Sequence, residues 1–269
     1  MMQQAINLNA DLGESFGVWR MGSDAELLPI VGSASIACGF HAGDPLVMRQ
    51  TLRQALAAGV SIGAHPSYPD LQGFGRRVMR LPAQELEALL IYQIGALAGM
   101  AQAEGARLTH VKPHGALSNM ACEEETIAAS VVAAIRCFDQ QLILLAPALS
   151  QLALAGAAGG LRVASEIFAD RTYGDSGNLL PRSQPGAQLH AAADCVAHVR
   201  RMLDAGGVVS IGGRRMPSEV HSICVHGDGA QAVAVATAVR GALLAAGMRL
   251  LPLPQVLAPT DSVSPMAMV

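Results

Sequence analysis

The feature that most constrains this chain is a repeated alternation. Short runs of Val, Ile and Leu are separated by stretches with helical spacing over nearly the whole length. Strand-like runs fall at Ala5–Asn9, Ser35–Cys38, Val60–Ala64, Leu108–Lys112, Leu142–Ala146, Arg162–Glu166, Val208–Ile211 and His221–His226. Strands alternating with helices specify a parallel sheet covered by helices, because each parallel crossover must carry the chain back to the same edge. The helical signals are local. Asp44 suits an N-cap, Pro45 the first helical position and Gly59 the end, with Met48, Leu52, Ala55 and Leu56 on one face. Leu86, Leu89, Leu90, Ile94 and Leu97 mark another helix, and Glu123–Phe138, Asp194–Leu203 and Gln231–Ala246 read as further ones.

With 269 residues, 51% hydrophobic and 14% charged, the chain can bury a full-sized core and is not a disordered composition. No polar linker divides it, so residues 1–251 read as one domain and the proline-containing stretch 252–269 as a surface tail. A net charge of −3 and 3% aromatics leave no basic stripe for a phosphate backbone, which argues against nucleic-acid binding. Gln140–Leu161 carries no charge, but its glutamines, Pro147 and glycines interrupt any spanning helix, and it reads as a buried strand followed by a small-residue helix. The N-terminal residues lack the basic and apolar regions of a signal peptide, so a cytoplasmic protein without membrane contact is expected. Cys38, Cys122, Cys137, Cys195 and Cys224 are scattered, with no Cys-x-x-Cys pair, and imply neither a disulfide framework nor a cysteine zinc site.

The chemistry-bearing residues cluster at one end of the strands. Asp11 and Glu14 follow the first, His41 and Asp44 the second, and His65, Asp70 and Arg76 the third. Lys112 and His114 end the fourth, Glu166, Asp170 and Arg171 the sixth, and His226 and Asp228 the last. Parallel β/α folds carry their sites at the carboxyl ends of strands, and closing the sheet into a barrel brings distant clusters into one pocket. Phe168–Leu189 is a long loop punctuated by Gly and Pro, the pattern of a binding loop. Lys112 is the only lysine, and two residues on lies His114, a spacing that lets their side chains meet on one strand face. His110 and His198 read as structural or solvated. Asp11, His41 and His65, from successive strands, form a candidate metal set. No phosphate loop, dinucleotide fingerprint or nucleophile elbow is present.

These clusters closely resemble those of the LamB/YcsF lactam-utilisation family, the A subunits of ATP-hydrolysing 5-oxoprolinase. The matching segments include Asn7–Glu14, Ile36–Asp44, Ile62–Pro66, Phe74–Arg76, Val111–Leu117, Glu166–Arg171, Leu180–Ser183 and Val225–Asp228. They run in the family's order through most of the chain. One departure is Ser118, where the family usually carries Tyr. The resemblance implies an irregular TIM-like (β/α) barrel of seven or eight strands, related to glycoside hydrolase and deacetylase folds. It also implies ATP-dependent opening of 5-oxoproline to L-glutamate with subunits B and C, with ATP and Mg2+ required.

On the matching residues, chemistry assigns expected roles. Asp11 and Glu14 would position or deprotonate water, and His41, His65 and His114 would act as acid, base or ligand. Lys112 would stabilise negative charge on oxygen. Arg76, Arg171 and Arg182 would hold carboxylate or phosphoryl oxygens, with Asp170, His226 and Asp228 completing substrate binding. The alternative reading is a metal-dependent deacetylase or glycosidase acting on a carbohydrate without ATP.

Overall fold

A computed structural model of the chain describes residues 5–227, 229 and 231–258. Its strands are β1 (Ala5–Leu12), β2 (Ser33–Ala37), β3 (Ser61–His65), β4 (His110–Val111), β5 (Ile143–Pro147), β6 (Val163–Phe168), β7 (Gly207–Val209), β8 (Arg215–Pro217), β9 (Ser222–Val225) and β10 (Arg249–Leu250). The helices are α1 (Asp24–Leu27), α2 (Pro45–Ala57), α3 (Ala83–Ala103), α4 (Gly115–Glu123), α5 (Glu125–Phe138), α6 (Gln151–Ala158), α7 (Ala192–Ala205), α8 (Ala232–Ala245) and α9 (Leu253–Val256). The strands β1 to β6 pair in sequence, β6 pairs with β9, and β9 returns to β1, which closes a parallel barrel of seven strands. β10 adds to the foot of β1, at Ala5 and Ile6.

Strand side chains alternate between two faces. One set, including Ile6, Leu8, Leu12, Ile36, Ile62, Val111, Leu144, Ile167 and Ile223, joins the hydrophobic layer beneath the helices. The other set points inward, and on most strands it is polar. Asn7 Nδ2 donates to Ser33 Oγ at 2.8 Å, and Ser222 Oγ donates to Asn7 Oδ1 at 2.7 Å. One layer higher, Asn9 Nδ2 donates to Glu166 Oε1 at 2.7 Å and to Ser222 Oγ at 2.8 Å. A polar interior is tolerable when its groups satisfy one another, as Asn7, Asn9, Ser33 and Ser222 do. The apolar exception is a small cluster of Ile143, Leu145, Ala164 and Leu253.

Leu253 corrects the expected surface tail. It is fully buried, and its backbone N–H donates to Ser33 Oγ at 3.1 Å, so α9 stoppers the amino-terminal end of the barrel. Residues 259–269 lie outside the described part. A second correction concerns Val208–Ile211. Ser210 N–H donates to the Arg214 carbonyl at 2.9 Å, and the chain reverses into an antiparallel β7–β8 ribbon beside the barrel. Residues 210–214 are too few to supply a parallel crossover. The helix expected at 123–138 begins after Glu124 and follows an unforeseen α4, whose start is the strand-end segment Gly115–Leu117 itself. Asp44 caps α2 as expected, accepting from Leu46 N–H and Val47 N–H, and Met48, Leu52 and Ala55 face the core, whereas Leu56 is exposed.

One described helix, α3, is long and apolar enough by composition to cross a membrane. Its Leu86, Leu90, Ile94, Leu97 and Ala101 are buried in the hydrophobic layer, where α3 packs beside α5.

The loop from β6 to α7 is organised around Arg171. The guanidinium donates through Nε to the Ala187 carbonyl (3.2 Å) and through Nη2 to the Leu180 carbonyl (2.6 Å). The Arg171 carbonyl in turn accepts from His198 Nε2 at 2.9 Å, so α7 pins the loop. Burial pulls His198 down to about 4.

This packing sets two expectations for stability. Leu253→Ala should lower the unfolding free energy by about 2–5 kcal/mol in urea titration, as expected for a buried leucine; an unchanged midpoint would show that α9 is not the stopper. Between pH 6.5 and about 4 the unfolded chain takes up a proton at His198 that the folded chain refuses. Stability attributable to His198 is therefore complete above pH 6.5 and falls on acidification, by up to about 1.4 kcal/mol per pH unit. His198→Gln should flatten that part of the stability profile, and a profile identical to that of the parent would contradict it.

Candidate active site

The barrel's carboxyl end opens into a cavity of about 380 Å³. It is lined by residues from several loops: Asp11, Glu14, His65, Arg76, Lys112, His114, Arg171, Arg182 and His226 among them. Most of the sequence-predicted residues thus share one cavity mouth.

Its floor is an ion network. Lys112 Nζ lies 3.0 Å from Asp11 Oδ1 and 3.0 Å from Glu166 Oε1, 3.2 Å from Asn9 Oδ1 and 3.1 Å from Cys224 Sγ. Burial disfavours the ammonium, but Asp11, Cys224 and Glu166 together hold it well above the usual lysine range. Burial likewise opposes the Asp11 anion, and His65 and Lys112 overcome it and keep that carboxyl well below the usual range. Glu166 goes the other way: burial raises it, against the pull of Lys112. Phe168 roofs this layer, its ring centroid 5.2 Å from Lys112 Nζ, and stacks on His226 at 5.4 Å.

Above the floor sits an imidazole cluster. His65 Nδ1 donates to the Lys112 carbonyl at 2.6 Å, and His114 Nε2 donates to the Phe74 carbonyl at 2.9 Å. Carbonyl oxygens only accept, so both protons are fixed on those nitrogens. The remaining nitrogens, His65 Nε2 and His114 Nδ1, then face each other at 3.0 Å, and His65 Nε2 also lies 3.4 Å from Asp11 Oδ2. His41 stacks on His114 at 3.9 Å, is buried, and neither of its ring nitrogens has a hydrogen-bond partner. Glu14 Oε1 completes the group, 3.5 Å from both His41 Nε2 and His114 Nδ1. Glu14, His41, His65 and His114 offer ligand atoms all within 4.8 Å of one another. Three imidazoles and a carboxylate that converge in this way suit a divalent cation, and these four residues could hold one. The metal set expected from the sequence changes accordingly: Asp11 is taken up by Lys112 and His65, and Glu14 and His114 stand in its place. Asp11, Cys224 and His226 also come together, but the Lys112 ammonium between them repels a cation.

The loop after β3 holds this cluster in place. Phe74 adopts a left-handed backbone at φ 54°, unusual for a side chain of its size, and so aims its carbonyl at His114. At Gly75, φ 64°, a Cβ would meet His114 and His41 at 2.9 Å. Asp70, expected among the strand-end polar groups, ties the loop's base by accepting from Gly73 N–H at 2.9 Å and Arg77 Nε at 2.7 Å.

Guanidiniums line the same cavity: Arg171 and Arg182 from the loop after β6, and Arg76 from the loop after β3, its guanidinium 4.9 Å over the Phe74 ring. Burial and the neighbouring Arg182 pull Arg171 down to about 10. Asp170 lies behind His226, with both carboxylate oxygens 2.8 Å from Nδ1, which orients the ring. Lys112 and His114 do not pair as their spacing suggested. β4 ends at Val111, so Lys112 turns to the floor and His114 to the rim. Asp228 lies outside the described residues.

Glu166, counted among the strand-end polar residues but given no role, and Asn9 also stand in the floor. A carboxylate inside an apolar strand, and an Asn two positions before Asp11 on the same face, are the available signals. His110, by contrast, is structural as expected: it is buried, pulled down to about 3 chiefly by burial, and packed where Gly63 leaves no side chain.

Known proteins resemble the chain along most of its length. It is 63% identical over 250 residues to the A subunit of 5-oxoprolinase from Azoarcus sp. (strain BH72), covering 93% of this chain and 98% of the relative. It is 52% identical over 245 residues to the protein of the same name from Tolumonas auensis, covering 91% and 98%. The lettered name implies further subunits in those relatives. A lactam utilization protein from Thermus thermophilus superposes with a TM-score of 0.86 at 41% identity, covering 92% of this chain and 99% of that one. The catalytic domain of a peptidoglycan N-acetylglucosamine deacetylase from Eubacterium rectale shares the fold alone, with a TM-score of 0.52 at 12% identity, covering 96% and 91%. A sequence profile described as the LamB/YcsF family matches residues 6–258, and the chain belongs to that family.

Proposed function

We propose that this chain hydrolyses the lactam 5-oxo-L-proline to L-glutamate in an ATP-dependent reaction, as the A component of an enzyme completed by subunits B and C. The observation that carries this reading is the lining of one cavity: carboxylates, imidazoles, an ammonium and guanidiniums surround a single space of about 380 Å³. A five-membered lactam is a resonance-stabilised amide and a poor electrophile. Phosphorylation of its oxygen makes the ring carbon receptive to water; attack and cleavage of the C–N bond leave a γ-glutamyl phosphate, which a second water hydrolyses, so that lactam, ATP and two waters give glutamate, ADP and orthophosphate.

The residues divide the remaining work. Asp11, kept anionic by His65 and Lys112, orients and deprotonates the attacking water. Lys112 offsets negative charge that develops on oxygen above the floor. His226, oriented through Nδ1 by Asp170, returns a proton to the departing ring nitrogen. Arg171, Arg76 and Arg182 hold the substrate's carboxylate and phosphoryl oxygens, for which a guanidinium's paired donors are well shaped. A divalent cation bound by Glu14, His41, His65 and His114 would supply Lewis acidity to an oxygen at this end. Free cysteines are compatible with a cytoplasmic enzyme, where ATP is available.

Mixed with subunits B and C, 5-oxoproline and Mg-ATP, the chain should release glutamate and orthophosphate together. Asp11→Asn and His114→Ala should each remove about a hundredfold or more of that rate while melting at temperatures close to the parent's. Full activity in both folded variants would refute these roles, and turnover of an acetylated sugar without ATP would replace the reading with deacetylation. Elemental analysis supplies a separate check. The purified chain should carry a stoichiometric divalent ion, lost on EDTA dialysis and lost in His41→Ala; a metal-free chain after growth with zinc and manganese would contradict the cation site.

A further inference from the structure

Glu14 is the one carboxylate of the imidazole cluster, and it lies beyond the end of β1. Pairing of β1 with β2 stops at Leu12 and Ile36, and the chain then turns at Gly13, whose φ of 71° carries it out of the ladder. Gly13 is buried, so its amide needs an acceptor. That acceptor is Asp24 Oδ2, at 2.8 Å, at the start of α1 and across the excursion 15–23. The same oxygen accepts from Thr51 Oγ1 of α2 at 3.3 Å. On the other side of Glu14, the Ser15 carbonyl accepts from Gly43 N–H at 2.9 Å. We propose that Asp24 is a positioning residue for Glu14: by holding the amide one residue earlier, it sets where the Glu14 carboxylate meets His41 and His114, and so tunes the affinity of the cluster for a divalent cation. The inference rests on the cation site described above and deepens it by assigning that site an outer partner.

Three observations carry it. First, the Asp24 bonds are not local: their donors lie 11 and 27 residues away in the chain, so the carboxylate ties the end of β1 to α2. A bond from a backbone amide to a carboxylate is charge-assisted and directional. Second, the anchor is rigid and close-packed. Thr51 is buried on α2 beside Met48, Leu52 and Ala55, and a Cβ at Gly13 would meet Ile36 Cγ2 at 3.1 Å and Thr51 Oγ1 at 3.3 Å. The turn that carries Glu14 therefore has little room to shift while Asp24 holds it. Third, Glu14 Oε1 stands 3.5 Å from both His41 Nε2 and His114 Nδ1, so a displacement of its backbone alters two ligand separations together. Groups that orient a metal ligand from outside commonly govern about 10–100-fold in affinity.

The test is calorimetric titration of zinc ion into the EDTA-stripped full-length chain and its variants. Asp24→Ala should weaken zinc binding by about 10–100-fold. Both donors share one oxygen, and an amide oxygen accepts as a carboxylate oxygen does, so Asp24→Asn should stay within about threefold of the parent. In a Glu14→Ala background, Asp24→Ala should cost nothing further, because a residue that acts only through Glu14 has nothing left to position. Melting of the ion-free chain is read in parallel; Asp24→Ser, whose hydroxyl ends one bond short of Oδ2, takes the place of an Asp24→Ala chain that does not fold. Unchanged affinity in Asp24→Ala would overturn the proposal. So would an equal loss in Asp24→Asn, which would make the effect one of charge, or a further loss in the Glu14→Ala background. A parent chain that takes up no zinc sinks the cation site and this proposal with it, whereas a parent that binds zinc no better than Asp24→Ala sinks the positioning role alone.

Discussion

A single ammonium group sits inside the barrel where its strands converge, and the arrangement of everything above it follows from how that charge is satisfied. Lys112 Nζ is ringed by Asp11, Glu166, Asn9 and Cys224 at 3.0–3.2 Å. A buried charge without partners is among the costliest features a core can contain, so each partner requires its own support. Glu166 is steadied by Asn9, Asn9 by Ser222, and Ser222 by Asn7. The polar filling of the barrel is thus one connected system that runs from the Leu253 stopper to the cavity floor. It fixes Asp11 as an anion and His65 as its neighbour.

A mixed lining is the second consequence. The imidazoles come from the ends of β2, β3 and β4, with Glu14 after β1, and the guanidiniums come from the loop after β3 and the long loop after β6. A substrate with an amide and anionic oxygens finds complementary groups around one space. Neither set depends on one element: Phe74 and Gly75 shape the first by unusual backbone geometry, and Arg171 with His198 shapes the second.

How much of this can be read from the sequence differs by feature. Alternating strand and helix signals are enough to define a parallel sheet covered by helices, because side-chain periodicity reports which face is buried; its closure into a barrel is what the family resemblance implies. Polar residues at successive strand ends disclose the cavity for the same reason. Pairing is less readable. Lys112 and His114 sit two apart, but β4 stops at Val111, and the turn sends their side chains to different layers. Glu166 looks like part of a motif rather than part of the floor, since nothing local announces a partner as distant in sequence as Lys112. The β7–β8 ribbon mimics a barrel strand because its Val-Val run has the right composition and only the reversal after Ser210 distinguishes it. Leu253 hides in a proline-rich stretch whose composition belongs equally to a tail and to a tight stopper.

The account stands or falls on where a lactam sits in this cavity. A crystal structure of the chain soaked with 5-oxo-L-proline measures that directly. It should show the ring in the inner cavity, with its amide carbon facing Asp11 and His65 and its carboxylate turned toward Arg171. Lactam density at another surface, or a ring reversed so that its carboxylate lies against Asp11 and Glu14, would contradict the account.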